Sequence, residues 1–287
     1  MGNMSYNKIL IEQKIREFLV EDCMFMDVSS KIIPKNAETS AKIFAKSSGY
    51  VSGLEELKLL YNVLNVSTTF KKKDGDEVNK GDIIVELEGN TRNILFGERT
   101  GLNLITHMSA ITSTARKYVQ LIKNSGKNIK IACTRKTTPG LRIFEKKAAE
   151  LGYADTHRFS LDDMVLLKDT HLKFYDGDVK KLLNDTRIKN SFSKKIEIEI
   201  EKVEDVLVAA KNGADIIMLD NMSLDQTEDA INLLKEHNLR ENIIVEISGG
   251  ITLDNVVDYL LSEPDVISLG SITQFPSDQV DFSLRFE

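Results

Sequence analysis

In ILIEQKIREFLVEDC the residues Ile9, Ile11, Ile15, Phe18 and Leu19 recur at close to helical spacing, which predicts an amphipathic helix. A second helix is expected over SGLEELKLLYNVLN, with Ser52 as its N-cap. Short strands follow: AKIFAKSSGYV, then STTFKKKDGDEVNKGDIIVELEG as two strands joined by Asp-Gly turns, then TRNILF. This N-terminal part reads as a small α/β sandwich. From GERTGLNLITHMSAITSTARKYVQLIKN onward a long helical pattern gives way to alternation. Apolar strands NIKIACT, MVLLKD, KIEIEIE, ADIIMLDN, IIVEISGG and DVISLGSI are separated by amphipathic helices such as PGLRIFEKKAAELG, VEDVLVAAKNG and LDQTEDAINLLKEHN. Repeated β-α units of this length imply a parallel sheet, and their number favours a barrel over an open sheet. The fold class is α/β, with a sandwich domain over 1–112, a barrel domain over 113–273, and residues 274–287 packing back on the first.

Composition narrows the function classes. The chain has 287 residues, 41% of them hydrophobic, enough for a real core. A formal net charge of -6 argues against broad binding to nucleic acid, so any anion site has to be a focused pocket. Two cysteines, Cys23 and Cys133, make neither a disulfide framework nor a zinc ligand set. No apolar run approaches the roughly 18 residues of a membrane span, and MGNMSYNKILIEQKI lacks the layout of a signal peptide, so a cytoplasmic protein with no membrane partner is expected. GDEVNKGDIIVELEG has the look of a lipoyl or biotinyl hammerhead turn, but Asn79-Lys80-Gly81 is not a Met-Lys-Met attachment site, and covalent cofactor attachment is not expected.

In a barrel of parallel strands the chemistry lies on loops after the strand C-termini. CTRKTTPGLR places Arg135 and Lys136 at such an end, with Thr138-Pro139 expected to start the next helix, Gly152 to end it, and Arg142 left without a role. HRFSLDDMVLLKDTH adds His157 and Arg158, then Lys168 and His171 after the strand Met164 to Leu167. In KIEIEIEK the isoleucines alternate with Glu197, Glu199 and Glu201, which puts the carboxylates on one face of a strand. If that face points into the barrel, cations or a metal must neutralise them. Glu199 and Asp220, the latter ending ADIIMLD, suggest an oxygen-ligand site for Mg²⁺ or for ribose hydroxyls. SGGIT and SLGSIT offer Ser248, Gly249, Gly250, Gly270 and Ser271, whose N–H and hydroxyl groups suit a phosphate. A phosphate site, a carboxylate pair and a cationic cluster at one barrel end describe phosphoribosyl transfer from phosphoribosyl pyrophosphate to an anionic co-substrate.

The motifs EDCMFMDVSS, GERTGLNLI, TRKTTPGLR, HRFSLDDMVLLKDTH, EIEIEKVEDVLVAAKNGADIIMLDN, EISGGIT and DVISLGSIT, in that order, resemble the quinolinate phosphoribosyltransferase family over nearly the whole chain. The resemblance implies a type II phosphoribosyltransferase architecture: an N-terminal α/β sandwich plus an incomplete, TIM-like α/β barrel. It implies a cytoplasmic enzyme of NAD synthesis that makes nicotinate mononucleotide, CO₂ and pyrophosphate from quinolinate and phosphoribosyl pyrophosphate. By motif, Arg135, Arg158 and Lys168 would bind the quinolinate carboxylates with His157 alongside. Lys136, Glu199 and Asp220 would carry the catalytic work on the phosphoribosyl pyrophosphate side, the two acids holding Mg²⁺. Ser248, Gly249, Gly250 and Gly270 would hold the 5-phosphate. The family works as a homodimer, with a hexamer of dimers as a larger assembly, and Arg99 of GERTGLN would reach in from the neighbouring subunit.

Three segments depart from the family pattern. A glycine triplet is replaced by Gly152-Tyr153-Ala154-Asp155-Thr156, which sets an acid near the dicarboxylate pocket; Lys-Asp-Asn-His becomes Lys168-Asp169-Thr170-His171; and the early GxGDxTT becomes Met24 to Ser30. These bear on which acid is the substrate. The alternatives are a paralogue like the ModD proteins of molybdate operons, acting on another pyridine or aromatic acid, and a non-catalytic ligand-binding homologue.

Overall fold

The structure is a computed structural model that describes residues 6–287. In chain order the elements are α1 (Lys8–Asp22), β1 (Glu38–Ala45), β2 (Gly49–Tyr50), α2 (Leu54–Val63), β3 (Ser67–Phe70), β4 (Glu77–Val78), β5 (Ile83–Asn90) and α3 (Thr91–Asn124). Then come β6 (Lys130–Cys133), α4 (Arg142–Leu151), β7 (Val165–Leu167), α5 (Asp169–Phe174), α6 (Val179–Lys189), β8 (Ile196–Ile200), α7 (Val203–Lys211), β9 (Ile216–Asp220) and α8 (Leu224–Glu236). The last are β10 (Ile244–Ser248), α9 (Val256–Tyr259), β11 (Val266–Leu269), α10 (Ser271–Gln274) and β12 (Phe282–Phe286). None of these helices is long and apolar enough to cross a membrane.

The chain divides into two compact units. The first comprises residues up to 114 together with Thr138–Gly152 and Pro276–Glu287; the second comprises Ala115–Thr137 and Tyr153–Phe275. Within the first, β12, β1, β5 and β3 form an antiparallel sheet in that order. Helix α4, which the repeat pattern assigns to the barrel, groups with this unit.

The second unit is a six-stranded sheet in the order β6-β11-β10-β9-β8-β7, with all pairs parallel. Ile196, Ile198 and Ile200 pack with Ile217, Leu219 and Val245 against Leu183 of α6, Val206 of α7, and Ile231 and Leu234 of α8. Because side chains alternate across a strand, Glu197 and Glu199 then face the opposite, interior side. With them on that side are Met218 and Asp220 of β9, Glu246 and Ser248 of β10, and Ser268 of β11, which fall on the same side through the parallel register.

Four local expectations change. TRNILF is not a strand but the first turns of α3, where the Asn90 Oδ1 accepts N–H groups from Arg92 and Asn93 at 3.1 and 3.4 Å. Ser52 does not cap α2; Gly53, at φ 92°, holds the N-cap position, and the Asp74 carboxylate takes the N–H groups of Leu54 and Glu55 at 2.9 and 3.3 Å. On α1 the buried stripe is Ile11, Ile15 and Leu19, while Ile9 is exposed. Helix α4 starts at Arg142 rather than at Thr138-Pro139, because Gly140 at φ 86° turns the chain first. Gly152 does end that helix.

Gly97 on α3 packs closely against α2. A Cβ there would lie 2.8 Å from side-chain carbons of both Leu60 and Leu64 and 2.9 Å from the Tyr61 ring, all buried. Gly97→Val is expected to destabilise the protein by about 2 kcal/mol through overpacking, although glycine is a poor helix former. The check is the midpoint of chemical denaturation.

Candidate functional site

A cavity of about 740 Å³ opens at the C-terminal ends of the six parallel strands, within the second unit. Its walls include Arg135, Lys136, His157, Arg158, Lys168, Glu199, Asp220, Ser248, Gly249, Gly250, Gly270 and Ser271. These residues, selected from strand ends, therefore meet in one place, whereas His171, Glu197 and Glu201 do not line the cavity. Arg99 does not line this cavity; it is exposed on α3 and lines a cleft inside the first unit with Phe18, Asp22, Asn103, His107 and Thr138.

On the cationic side, Arg158 is 7% exposed, and its guanidinium has no ion pair among the described residues. Burial first, and then the neighbouring Arg135 guanidinium, lower its pKa. An arginine keeps its proton regardless, so the pair is a standing demand for an anion. The Arg135 Nε is itself buried with no hydrogen-bond partner. Lys136 is held by its backbone, since Thr273 donates to its carbonyl at 2.8 Å and its N–H donates to the Thr134 hydroxyl at 3.1 Å. Its side chain runs over Gly270, where a Cβ would come within 2.7 Å of the Lys136 Cδ.

Carboxylates face these cations. Glu199 is ion-paired with Lys168. Burial raises the Glu199 pKa, Lys168 pulls it back down, and the Asp220 charge adds to the rise. Asp220 takes a hydrogen bond from the Asn221 carboxamide at 2.9 Å. Asn221 sits at φ 54°, one of the few side chains that tolerate this region, and its N–H donates to the Ser248 carbonyl at 2.9 Å. The all-oxygen pair of Glu199 and Asp220 suits a hard cation.

His157 lies on the floor of the cavity at φ 52°. Its Nε2–H points to Glu246 at 3.0 Å and Glu197 at 3.5 Å, both fully enclosed acids. Burial lowers the imidazole pKa, and hydrogen bonds and charge from the two glutamates more than reverse this, raising it to about 10. The Arg158 N–H donates to Nδ1 at 2.8 Å, which only a neutral ring protonated at Nε2 allows, so the geometry is that of the neutral imidazole held against the upward pull of the two acids. In either form Nε2 carries a hydrogen. The ligand atoms of His157, Glu197 and Glu246 lie within 4.8 Å of one another, with the Nε2 proton set between the two acids.

Glu246 and Asn221 escaped the sequence reading. Glu246 is a single acid in the apolar run IIVEIS, two residues before Ser248 and so on the same strand face, the rule that selected Glu197 and Glu199. Asp155 turns out not to enter the cavity: its backbone bridges to β6, and its carboxylate accepts the His157 N–H at 2.8 Å. Tyr153 keeps a glycine-like backbone at φ 68°, with the Arg116 guanidinium stacked 3.8 Å from its ring centroid.

Models of the quinolinate phosphoribosyl transferase N-terminal and C-terminal domains match residues 27–109 and 111–285. The chain belongs to the quinolinate phosphoribosyltransferase family. It is 40% identical over 272 residues to a probable nicotinate-nucleotide pyrophosphorylase (carboxylating) of Methanothermobacter thermautotrophicus, covering 94% of this chain and 97% of that one. A protein of the same name from Archaeoglobus fulgidus is 39% identical over 248 residues, covering 86% and 94%. The crystal structure of NadC from Streptococcus pyogenes superposes with a TM-score of 0.89 at 33% identity, covering 99% of each chain. The α/β fold with an incomplete barrel is thus the fold of this phosphoribosyltransferase family.

Gly249 offers a direct check on the loop that closes the cavity. It sits at φ 89°, and a Cβ there would fall on the Asn221 carboxamide oxygen and within 2.9 Å of the Asn221 backbone nitrogen. Gly249→Ala is expected to cost about 2 kcal/mol or more of stability, since both the backbone and the space refuse it. Thermal unfolding of the purified variant measures this.

Proposed function

We propose that the protein is a carboxylating nicotinate-nucleotide pyrophosphorylase, transferring phosphoribose from phosphoribosyl pyrophosphate to quinolinate in NAD biosynthesis. The observation that carries this reading is the buried Arg158 beside Arg135, neither in a direct ion pair among the described residues, in the same cavity as the Glu199 and Asp220 pair. A dicarboxylate answers the first feature, and a metal-bridged diphosphate answers the second.

In the reaction the pyridine nitrogen forms a bond to the ribose anomeric carbon as the bond to pyrophosphate breaks, the electron pair leaving with the pyrophosphate. The bond from C2 to its carboxylate then breaks, CO₂ departs, and the carbanion beside the cationic ring nitrogen takes a proton. Arg135, Arg158 and Lys168, with His157 alongside, bind and orient the two carboxylates. Lys136 sits where it can meet charge on the departing pyrophosphate, and Ser248, Gly249, Gly250 and Gly270 offer donors to the 5-phosphate. Glu199 and Asp220 would hold Mg²⁺, which when bound neutralises the diphosphate. The protein's work is to gather polyanions and fix their geometry, so no nucleophile of its own is required.

The active assembly in this reading is a homodimer in the cytoplasm, with Arg99 supplied to the cavity of the partner subunit. It is supported by the exposure of Arg99 on α3 and its absence from the cavity lining of its own chain.

Incubating the protein with quinolinate, phosphoribosyl pyrophosphate and Mg²⁺ should yield nicotinate mononucleotide and CO₂, detected by mass. Binding without product would refute the reading, and product from a different pyridine acid would move it to a paralogous transferase. Lys168→Ala should raise the KM for quinolinate about tenfold or more and that for phosphoribosyl pyrophosphate much less, as loss of a charged hydrogen bond predicts. Arg99→Ala and Lys136→Ala dimers, each inactive, should recover about a quarter of wild-type activity after subunit exchange, because each hybrid dimer contains one complete site. Lack of recovery despite proven exchange would place Arg99 in its own subunit's chemistry.

A further inference from the structure

In the wall of the cavity stands Glu246, which the roles assigned so far do not use. Glu246 is 1% exposed in the middle of β10, facing inward in register with Met218 of β9, which is in turn paired with Glu199 of β8. A buried carboxylate is costly unless it is hydrogen-bonded, and nothing in the packing of β10 calls for one. Its Oε2 accepts the His157 Nε2–H at 3.0 Å, while its Oε1 has no hydrogen-bond partner. The ring is clamped at its other end as well, where Nδ1 accepts the Arg158 N–H at 2.8 Å. The His157 N–H in turn donates to the Asp155 carboxylate, fixing the left-handed backbone at φ 52°. Glu246, the imidazole and the Arg158 peptide thus form one chain of hydrogen bonds running from the sheet to the guanidinium that waits for an anion.

We propose that Glu246 is a positioning residue for the dicarboxylate half of the site, acting through the His157 ring to fix the Arg158 peptide and so aim the Arg158 guanidinium. This rests on the proposed function above, and it adds a residue that touches no carboxylate itself. A parallel strand supplies a rigid base for such a device, whereas the loop from Asp155 to Arg158 that it braces contains no helix or strand. Other charged groups face the same ring and its neighbours: a Glu197 oxygen of β8 lies 3.5 Å from Nε2 without a hydrogen bond, and Arg135 after β6 lies beside Arg158. Glu197 is the weaker brace, at 3.5 Å against 3.0 Å.

The test compares wild type with Glu246→Gln, which keeps an acceptor oxygen but removes the charge, and with Glu246→Asp, which keeps the charge and withdraws it by one methylene. In both, the KM for quinolinate should rise about tenfold while the KM for phosphoribosyl pyrophosphate moves less than about twofold, the scale of one charge-assisted hydrogen bond. In a cycle with His157→Asn, adding Glu246→Gln should cause no further loss, since Glu246 acts only through that ring. Equal rises in both KM values, or additive losses in the cycle, would overturn the proposal and leave Glu246 as a general support of β10. Wild-type turnover of quinolinate tests the functional reading separately. If wild type makes no product, ¹⁵N NMR of the His157 ring in the free protein still decides: the Nε2 resonance should shift in Glu246→Gln, and an unmoved resonance would overturn the brace.

Discussion

The site depends on the register between β8, β9 and β10. Glu199 pairs with Met218, Met218 with Glu246, and Asp220 with Ser248. A slip of one residue between any two strands would turn one row of acids toward α6, α7 and α8 and bring isoleucines into the cavity. What prevents it is the apolar face: Ile196, Ile198, Ile200, Ile217, Leu219 and Val245 are all buried against those helices. At about 25 cal/mol per Å² of apolar surface, each such side chain contributes on the order of 2 kcal/mol, so the burial at stake in the register is comparable with the whole net stability of a typical domain. Hydrophobic packing on one side of the sheet thereby holds in place a set of charges on the other that would not hold themselves.

This explains which parts of the architecture are readable from the chain. Alternation in KIEIEIE and the repeated β-α spacing fix faces and strand ends, and those two facts bring Arg135, Lys168, Glu199, Asp220, Ser248 and Gly270 into one cavity without knowledge of any contact. Groups that depend on a distant partner are harder to read. The cap of α2 comes from Asp74, about twenty residues downstream, and no local rule connects it to Ser52. TRNILF fits either period over so short a run, and Asn90 decides for the helix. Glu246 is one acid in an apolar strand, and without a second to make a pattern it reads as an exception rather than as a member of the row that Glu199 begins.

Where the family pattern has a glycine triplet, this chain turns at a tyrosine. Tyr153 retains positive φ, which disfavours a side chain by about 1 kcal/mol, and the Arg116 guanidinium stacks on its ring. Asp155, which reads as an acid threatening a dicarboxylate pocket, spends its carboxylate on the His157 N–H. The loop so built delivers His157 and Arg158 to the cavity.

The ion pair between Lys168 and Glu199 makes the two halves of the cavity share a ledger of charge. Any anion that draws the ammonium away leaves Glu199 beside Asp220 with nothing to balance it, and a half-buried carboxylate pair in that condition binds a cation more tightly. By reciprocity, a cation that claims Glu199 releases Lys168 for an anion. The Lys168–Glu199 pair thus ties the charge of one half of the cavity to that of the other.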